Sequence, residues 1–493
     1  MEARYARRTK QWRCVARRKR FLEGVTDNGD RAPTEAEFEA RRKELLEECK
    51  IPPEVHEEVE ARLQTFLEPF LQTFVRREQY GHAETYVSGL LSNLRHKTAE
   101  TIAYLHGQDR LGLQRFLGWA EWDDAPLRLE LARQIGQELG EADGVLVFDP
   151  SAFAKSGRES VGVARQWCGR LGKVENCQVA IYLGYVSGQE HALVDMRLYL
   201  PKEWTRNKAR CKKAGVPTNR RRHRTRHQLC LEMLQERGGF LPHTWITGDD
   251  ELGRVSWFRA RLHALHERYL LAVPSNTLIR DLEVEPPAYG GRGRRPQRPW
   301  QRVDKWTCGQ EEDDWTEVDV RDGSKGPLLV EVLKRRVVAR TPRRQEGHEE
   351  VLVVIRYRDR DHLEVLKVDY YLSDASADTP LAEFARVAKA EHRIEECLQR
   401  SKSEAGLADY QVRNWAGWHH HQTLCLLAMW FLVTETRRGK KMDPGHYRPA
   451  NPTGHLQDPP GGLPTCYTTP CKERGREVAA TQRISSPLPL EAA

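Results

Sequence analysis

No stretch of this sequence stays apolar long enough to cross a bilayer. The longest such run, Leu424–Val433, is about half of the roughly 20 residues that a spanning helix needs. No two cysteines stand in C-x2-C spacing. The pairs Cys168/Cys177 and Cys466/Cys471 lack matching partners for a tetrahedral site, so structural zinc is not expected. The N-terminus lacks the short apolar core of a secretory signal. The eleven cysteines are therefore expected to remain thiols in the cytosol of a soluble protein, not to form a disulfide framework. A strong excess of one charge is also missing. The 79 Lys and Arg face 71 Asp and Glu, a net charge of +8, compatible with a polyanionic partner but too small to establish one.

The distribution of charge carries more information. Basic residues crowd 1–20, 206–226, 292–302 and 334–344, and acidic ones gather at 310–322. The first 34 residues read as a disordered basic arm. From 35 to 140 the period is helical, as in Leu67, Phe70, Leu71 and Phe74, and an all-helical, DNA-reading domain is expected there. From 439 to 493 the chain turns to Pro, Gly, Thr and Ser and reads as an unfolded tail.

Between these lies a mixed α/β pattern. Val145–Phe148 is a run of four apolar residues, the signature of a strand buried on both faces, and it leads into Asp149 and then Pro150. The proline is expected to end the ladder. Strand-like runs at 178–186 and 192–200 form a hairpin about Ser187-Gly188-Gln189. A helix at 223–237, a strand at 243–247, a helix at 255–266 and a strand at 269–273 follow. The order β-β-β-α-β-α-β is the plan of a ribonuclease-H-like core lacking its last helix, which defines the expected fold class: α/β, with a mixed sheet. Residues 141–274 are its first part and 346–438 its second. The intervening 275–345 read as a β-rich insertion, in which Trp300, Trp306 and Trp315 stand beside Arg and Lys. That combination suits stacking on bases, and equally suits a small core of the insertion's own. The missing helix is expected at 381–402, capped by Asp378 or Thr379 with Pro380 in its first turn. A second, buried helix is expected at 413–436.

A carboxylate at the end of a buried strand needs a partner. Asp249 follows the strand at 243–247, and in the late helix Glu395 lies within about 60° of Leu381, Phe384, Ala388, Glu391, Leu398 and Lys402 at 100° per residue. Glu395 is thus expected on the inward stripe and Glu396 on its flank, and a two-turn pairing of Glu395 with Lys402 is the bland alternative. If Asp149, Asp249 and Glu395 converge, three carboxylates without a His or Cys cluster suit Mg2+ or Mn2+. Two such ions would serve an in-line phosphoryl displacement. Adjacent helical residues point about 100° apart, so His419, His420 and His421 are not expected to share a metal.

The chain resembles insertion-sequence transposases of the DDE superfamily endonuclease type over about 60–437. The likeness rests on the runs Val147–Gly157, Ser160–Gly169, Gly172–Gln178 and Asp195–Pro201 with Glu203-Trp204. It extends to Gly248-Asp249-Asp250-Glu251-Leu252-Gly253, where Leu252 replaces the usual tyrosine and Asp250 is the second choice for the aspartate. The last block holds Ile394-Glu395-Glu396, Lys402, Gly406-Leu407, Tyr410, Arg413, Trp415 and Trp418. A Tyr and an Arg that precede the glutamate in such transposases are here Ala388 and Glu391, with Arg393 as a possible substitute. The resemblance implies a metal site of Asp149, Asp249 and Glu395 binding Mg2+ or Mn2+. It implies nicking of element ends to expose a 3′-OH, which then joins target DNA. Lys402 would hold a backbone phosphate, and Arg393, Trp300 and Arg222 are further candidate DNA contacts, with Arg222 in the basic run Arg220–Arg224. A homodimer on double-stranded DNA, associated with the nucleoid, is the implied assembly. The rival readings are a nuclease of the same core without strand transfer, and a DNA-binding descendant without catalysis.

Overall fold

The computed structural model describes residues 53–442, apart from residues 189, 324, 325, 344 and 359–364. The expected basic arm lies outside the described residues, as does all but the start of the expected tail.

Among the described residues, five helices come first: α1 (Pro53–Leu71), α2 (Arg77–Leu91), α3 (Ala99–Leu105), α4 (Arg110–Gly118) and α5 (Ala125–Leu139). Their apolar residues recur at helical spacing. In α5, Leu127, Leu131, Ala132, Ile135 and Leu139 are all buried. Strand β1 (Val145–Ala154) follows, then β2 (Ala164–Cys168), β3 (Lys173–Val186) and β4 (His191–Leu198). Next come the short helices α6 (Lys202–Arg206) and α7 (Lys208–Lys213), helix α8 (Arg226–Arg237), β5 (Trp245–Gly248), α9 (Asp250–Gly253), α10 (Ser256–Ala264) and β6 (Tyr269–Ala272). Thr225 opens α8 with a capping box to Gln228.

β3 lies antiparallel to β1, and its other edge is shared by β2 and β4. β1, β5 and β6 are parallel neighbours. This is the ribonuclease-H-like arrangement that the element order predicted. Contrary to expectation, Pro150 does not end β1, which stays paired with β3 as far as Ala154. β5 has already stopped at Gly248. Beyond Phe148 the strand is an edge on that side, where a residue without an N–H is tolerated.

The β-rich segment also differs from its expected bounds. β7 (Leu278–Asp281), β8 (Gln301–Arg302), α11 (Val303–Thr307) and β9 (Thr316–Gly323) lead into β10 (Gly326–Arg340), β11 (Glu346–Arg358) and β12 (Val365–Ser373). Position 345 is no boundary, since Arg340 and Glu346 pair across the turn there. The meander runs on to β12, which pairs antiparallel with β6 and fuses the segment to the core sheet. Alternate residues of β11 serve different layers. Val351, Val353 and Ile355 join the main core, whereas Leu352 and Val354 join a smaller one with Ile279, Val303 and Trp306.

Helix α12 (Leu381–Glu404) starts directly after Pro380 with no side-chain cap, so neither Asp378 nor Thr379 has the expected role. Helix α13 (Trp415–Met442) extends four residues past the expected start of the tail at 439. It packs against α2, α4, α5 and β4, which explains its burial all round. The N-terminal helices therefore share one continuous apolar core with the sheet and with α12 and α13.

His419, His420 and His421 are all buried, each facing a different neighbour. The His419 Nδ1 lies 2.9 Å from the Trp415 carbonyl, the His420 ring stacks on Trp122 with centroids 3.6 Å apart, and the His421 Nδ1 pairs with the Tyr86 hydroxyl at 2.8 Å. Burial lowers the His419 pKa from 6.5 to about 4 and that of His421 to about 3. The unfolded chain then binds protons that the fold refuses, so these groups weaken the fold as pH falls below about 6.5, by up to about 1.4 kcal/mol per pH unit for each histidine. Thermal unfolding of the wild type and of His421→Asn, compared from pH 7 to pH 5, should show a smaller acid-induced fall in the variant. Equal slopes would contradict this account.

Candidate active site

The pairing of β1 with β5 runs in register from Val145 opposite Trp245 to Phe148 opposite Gly248. The next residue on each strand is an aspartate. Asp149 and Asp249 thus stand side by side at the carboxyl ends of the paired segments, on backbones about 5 Å apart. Asp149 continues along β1 opposite Tyr182. Asp249 turns out of the sheet as the N-cap of α9, accepting the Leu252 N–H at 3.1 Å. Asp250, the second choice from sequence, is exposed and paired with Arg254 at 2.7 Å. Leu252 is buried under the turn.

Helix α12 crosses this end of the sheet. Phe384 packs on Trp245 with ring centroids 5.8 Å apart. Ile394 lies directly on Gly184, where any Cβ would collide with it, so the glycine permits the close approach of helix and sheet. Farther along, the Lys402 Nζ stands 5.4 Å from the Phe153 ring centroid. The chain segment after α12 ties back to the first strands. The Tyr410 hydroxyl donates to Gln178 Oε1 at 2.9 Å, and the Val161 N–H donates to the Arg413 carbonyl at 2.8 Å. Many residues that carry the sequence resemblance are thus braces between β1–β3 and the helical end of the core.

Both aspartates keep some access to solvent, yet lost hydration is the largest influence on each. Asp149 is pushed up to about 8 by burial and by the charges of Asp249 and Glu395, against the pull of Lys402. Asp249 is pushed up to about 7 by burial, Glu251 and Asp250, opposed by the Leu252 N–H and by Arg226.

Glu395 is not on the buried stripe as the helical spacing suggested. Its side chain is 59% exposed, and its carboxylate lies 3.8 Å from His392 Nδ1. That histidine, with Lys367 and Lys402, holds it below the usual carboxylate range despite some burial. Glu395 still acts on the Asp149 charge. The residue that sequence reasoning passed over is Glu391, one turn earlier. Burial pushes its carboxyl well up, as do the charges of Asp249, Asp149, Asp369 and Glu395. The signal was present, as an acid in line with Phe384 and Leu398 on a buried helix face, but the motif drew attention to its neighbour.

The candidate DNA contacts scatter. Lys402 is beside the acids. Arg393 donates to the Ser187 carbonyl at 2.7 Å, beyond the start of β1 and away from Asp149. The Trp300 ring carries the guanidinium groups of Arg280, at 4.3 Å from its centroid, and Arg340, at 5.8 Å. Of the other two tryptophans, Trp306 is buried and donates its indole N–H to Asp281 at 3.0 Å. Trp315 packs against the same small core and carries the Arg356 guanidinium at 4.0 Å. Arg222 is exposed beside a cleft that Arg128, Arg197 and His419 also line, while Arg220 and Arg224 both pair with Glu232.

A mixed sheet of this order, with neighbouring aspartates where two parallel strands end, defines a ribonuclease-H-like core. The family profile described as DDE superfamily endonuclease matches residues 69–327, more than half of the 493-residue chain. The chain belongs to that family. It is also 34% identical over 117 residues to a probable transposase for insertion sequence element IS701 from Microchaete diplosiphon. That alignment covers 23% of this chain and 30% of the relative. The family match includes Asp149 and Asp249 and stops before α12.

Members of this superfamily generally use divalent metal ions. Among the described residues, no three His, Cys, Asp or Glu side chains are drawn close enough to hold one. Asp149, Asp249, Glu391 and Glu395 lie within electrostatic reach of one another rather than at ligand distance. Their chemistry, all carboxylate oxygen, fits a hard divalent cation.

The acids here and the buried Asp195 should respond oppositely to neutralisation. Asp195 on β4 is fully buried among Arg128, Arg197 and Arg237, at 2.5–2.8 Å. Asp195→Asn strands buried guanidinium groups and should cost about 3–5 kcal/mol. Asp149→Asn removes repulsion and should stabilise the metal-free protein, on the order of 1–2 kcal/mol. Chemical denaturation in EDTA checks both signs.

Proposed function

We propose that this protein is a DDE transposase that cuts the ends of a mobile element and joins the resulting 3′-OH ends to target DNA. The observation that carries the reading is the register of β1 against β5, which sets Asp149 beside Asp249 in a chain of the DDE endonuclease family. Two aspartates on rigid strand ends form a fixed pair of oxygen donors, and α12 adds carboxylates from above. In this proposal Asp149, Asp249 and Glu395 hold Mg2+ or Mn2+, two ions in all. The cations would supply charge neutralisation at the phosphate and activation of the attacking oxygen.

The chain's own part is to orient. Asp249 is fixed by its bond to the Leu252 N–H, and Asp149 by pairing on the β3 side. Lys402, about two turns beyond Glu395 and three beyond Glu391 on the same helix, would hold a backbone phosphate in line with them. Double-stranded DNA is the proposed partner, bound by a homodimer, with Arg222, Trp300 and Arg393 as further contacts. No helix among the described residues is long and apolar enough to cross a membrane. A nucleoid-associated location belongs to the same proposal.

The exposure of Glu395 and the lack of three carboxylates at ligand distance among the described residues favour one second reading, a DNA-binding protein without catalysis. One experiment separates them. DNA carrying the element's own ends, incubated with the full chain and Mg2+, should be nicked, and pre-cleaved ends should be joined to a target plasmid. Asp149→Asn should lower both rates by at least about a hundredfold, the equivalent of about 2.7 kcal/mol, while leaving end binding intact. Binding without any nicking would decide for the second reading, and nicking without joining would reduce the assignment to a nuclease.

A further inference from the structure

Resting on the metal-dependent reading above, we propose that Glu391 is an additional carboxylate ligand of the cations held at Asp149 and Asp249. Three observations lead to it. The first is position on the helix. At 100° per residue, Phe384, Leu398 and Lys402 lie within about 20° of Glu391. Phe384 and Leu398 are buried against the sheet, so Glu391 points the same way. Glu395 is about 40° off that line and more than half exposed.

The second is what surrounds the carboxylate. Asp249 and Asp149 are the charges that act on it most strongly, ahead of Asp369 on β12 and Glu395. Glu391 therefore faces the strand-end pair itself. The third is compensation. The acids around the strand-end pair each have a partner, as Asp149, among the described residues, does not: Glu251 has Arg226, Asp250 has Arg254, Asp369 has Lys367 at 2.8 Å, and Glu395 has His392. Asp249 accepts the Leu252 N–H. Among the described residues, Glu391 has neither an ion pair nor a hydrogen-bond donor. A carboxylate held against two others without a cation is costly, and a divalent ion removes that cost. Charge count agrees: two divalent ions carry four positive charges, the number that Asp149, Asp249, Glu391 and Glu395 balance.

The test is cation affinity, measured with Mn2+ alone by electron paramagnetic resonance on the full chain, without DNA. Glu391→Gln should weaken Mn2+ binding at least about tenfold. Glu396→Gln, an exposed acid on the same helix, should leave it within about twofold. Glu391→Asp keeps the charge but shortens the reach, so a ligand loses affinity there, whereas a distant contributor to the field does not. Unfolding in EDTA reports folding independently, and Glu391→Gln should be no less stable than the wild type. Wild-type affinity in both Glu391 variants would overturn the proposal while leaving the site of Asp149 and Asp249 standing. Mn2+ binding that is unaffected by Asp149→Asn would overturn the site itself, and this inference with it.

Discussion

The parallel pairing of β1 with β5 is the constraint on which the rest of this molecule depends. Asp149 and Asp249 are a hundred residues apart in sequence, and a slip of one residue in that register would turn one of them to the opposite face. The register is secured by burial. Val145 to Phe148 and Trp245 to Gly248 are wholly enclosed, so any shift would move apolar side chains out of contact on both faces at once. The core thus holds two like charges together at an energetic disadvantage.

That disadvantage marks the site as different from the rest of the polar interior. Asp195 shows the ordinary solution, with three arginines around one carboxylate, and Arg259 with Glu350 is another buried pair, at 2.7 Å. These bonds join strands to helices and need nothing from outside. The acids at the ends of β1 and β5 have no comparable arrangement. Sites built for reaction commonly retain such imbalance because a substrate or cofactor completes them.

Much of this could be read from the chain before its fold. The apolar run ending at Asp149 announced a buried strand, the alternation of strands and helices gave the order of the central sheet, and the spacing of Phe384 and Leu398 gave the inward face of α12. The failures have physical causes. Pro150 continued a strand because the neighbouring strand had already ended, a tertiary fact invisible locally. The β meander ran on to 373 because β12 found its partner in β6, and long-range pairing leaves no mark at the turn between Arg340 and Glu346. Glu395 and Glu391 are separated by four residues, just over one helical turn. Spacing puts both near the sheet, about 40° apart around the helix, and only packing shows that this angle carries Glu395 out to the rim. The tryptophans were ambiguous from composition and resolved by packing: Trp306 belongs to a core, and Trp300 to a stack of arginines.

The continuity of the apolar core from α1 through α13 has a consequence for how such a protein diversifies. Had the N-terminal helices been a module on a tether, a lineage could exchange that module whole. Here α2, α4 and α5 are one wall of the chamber enclosing α13, so a transplanted bundle would arrive without its complementary surface. Innovation in this architecture must proceed by gradual change of outward-facing side chains, with the inner walls inherited as a set.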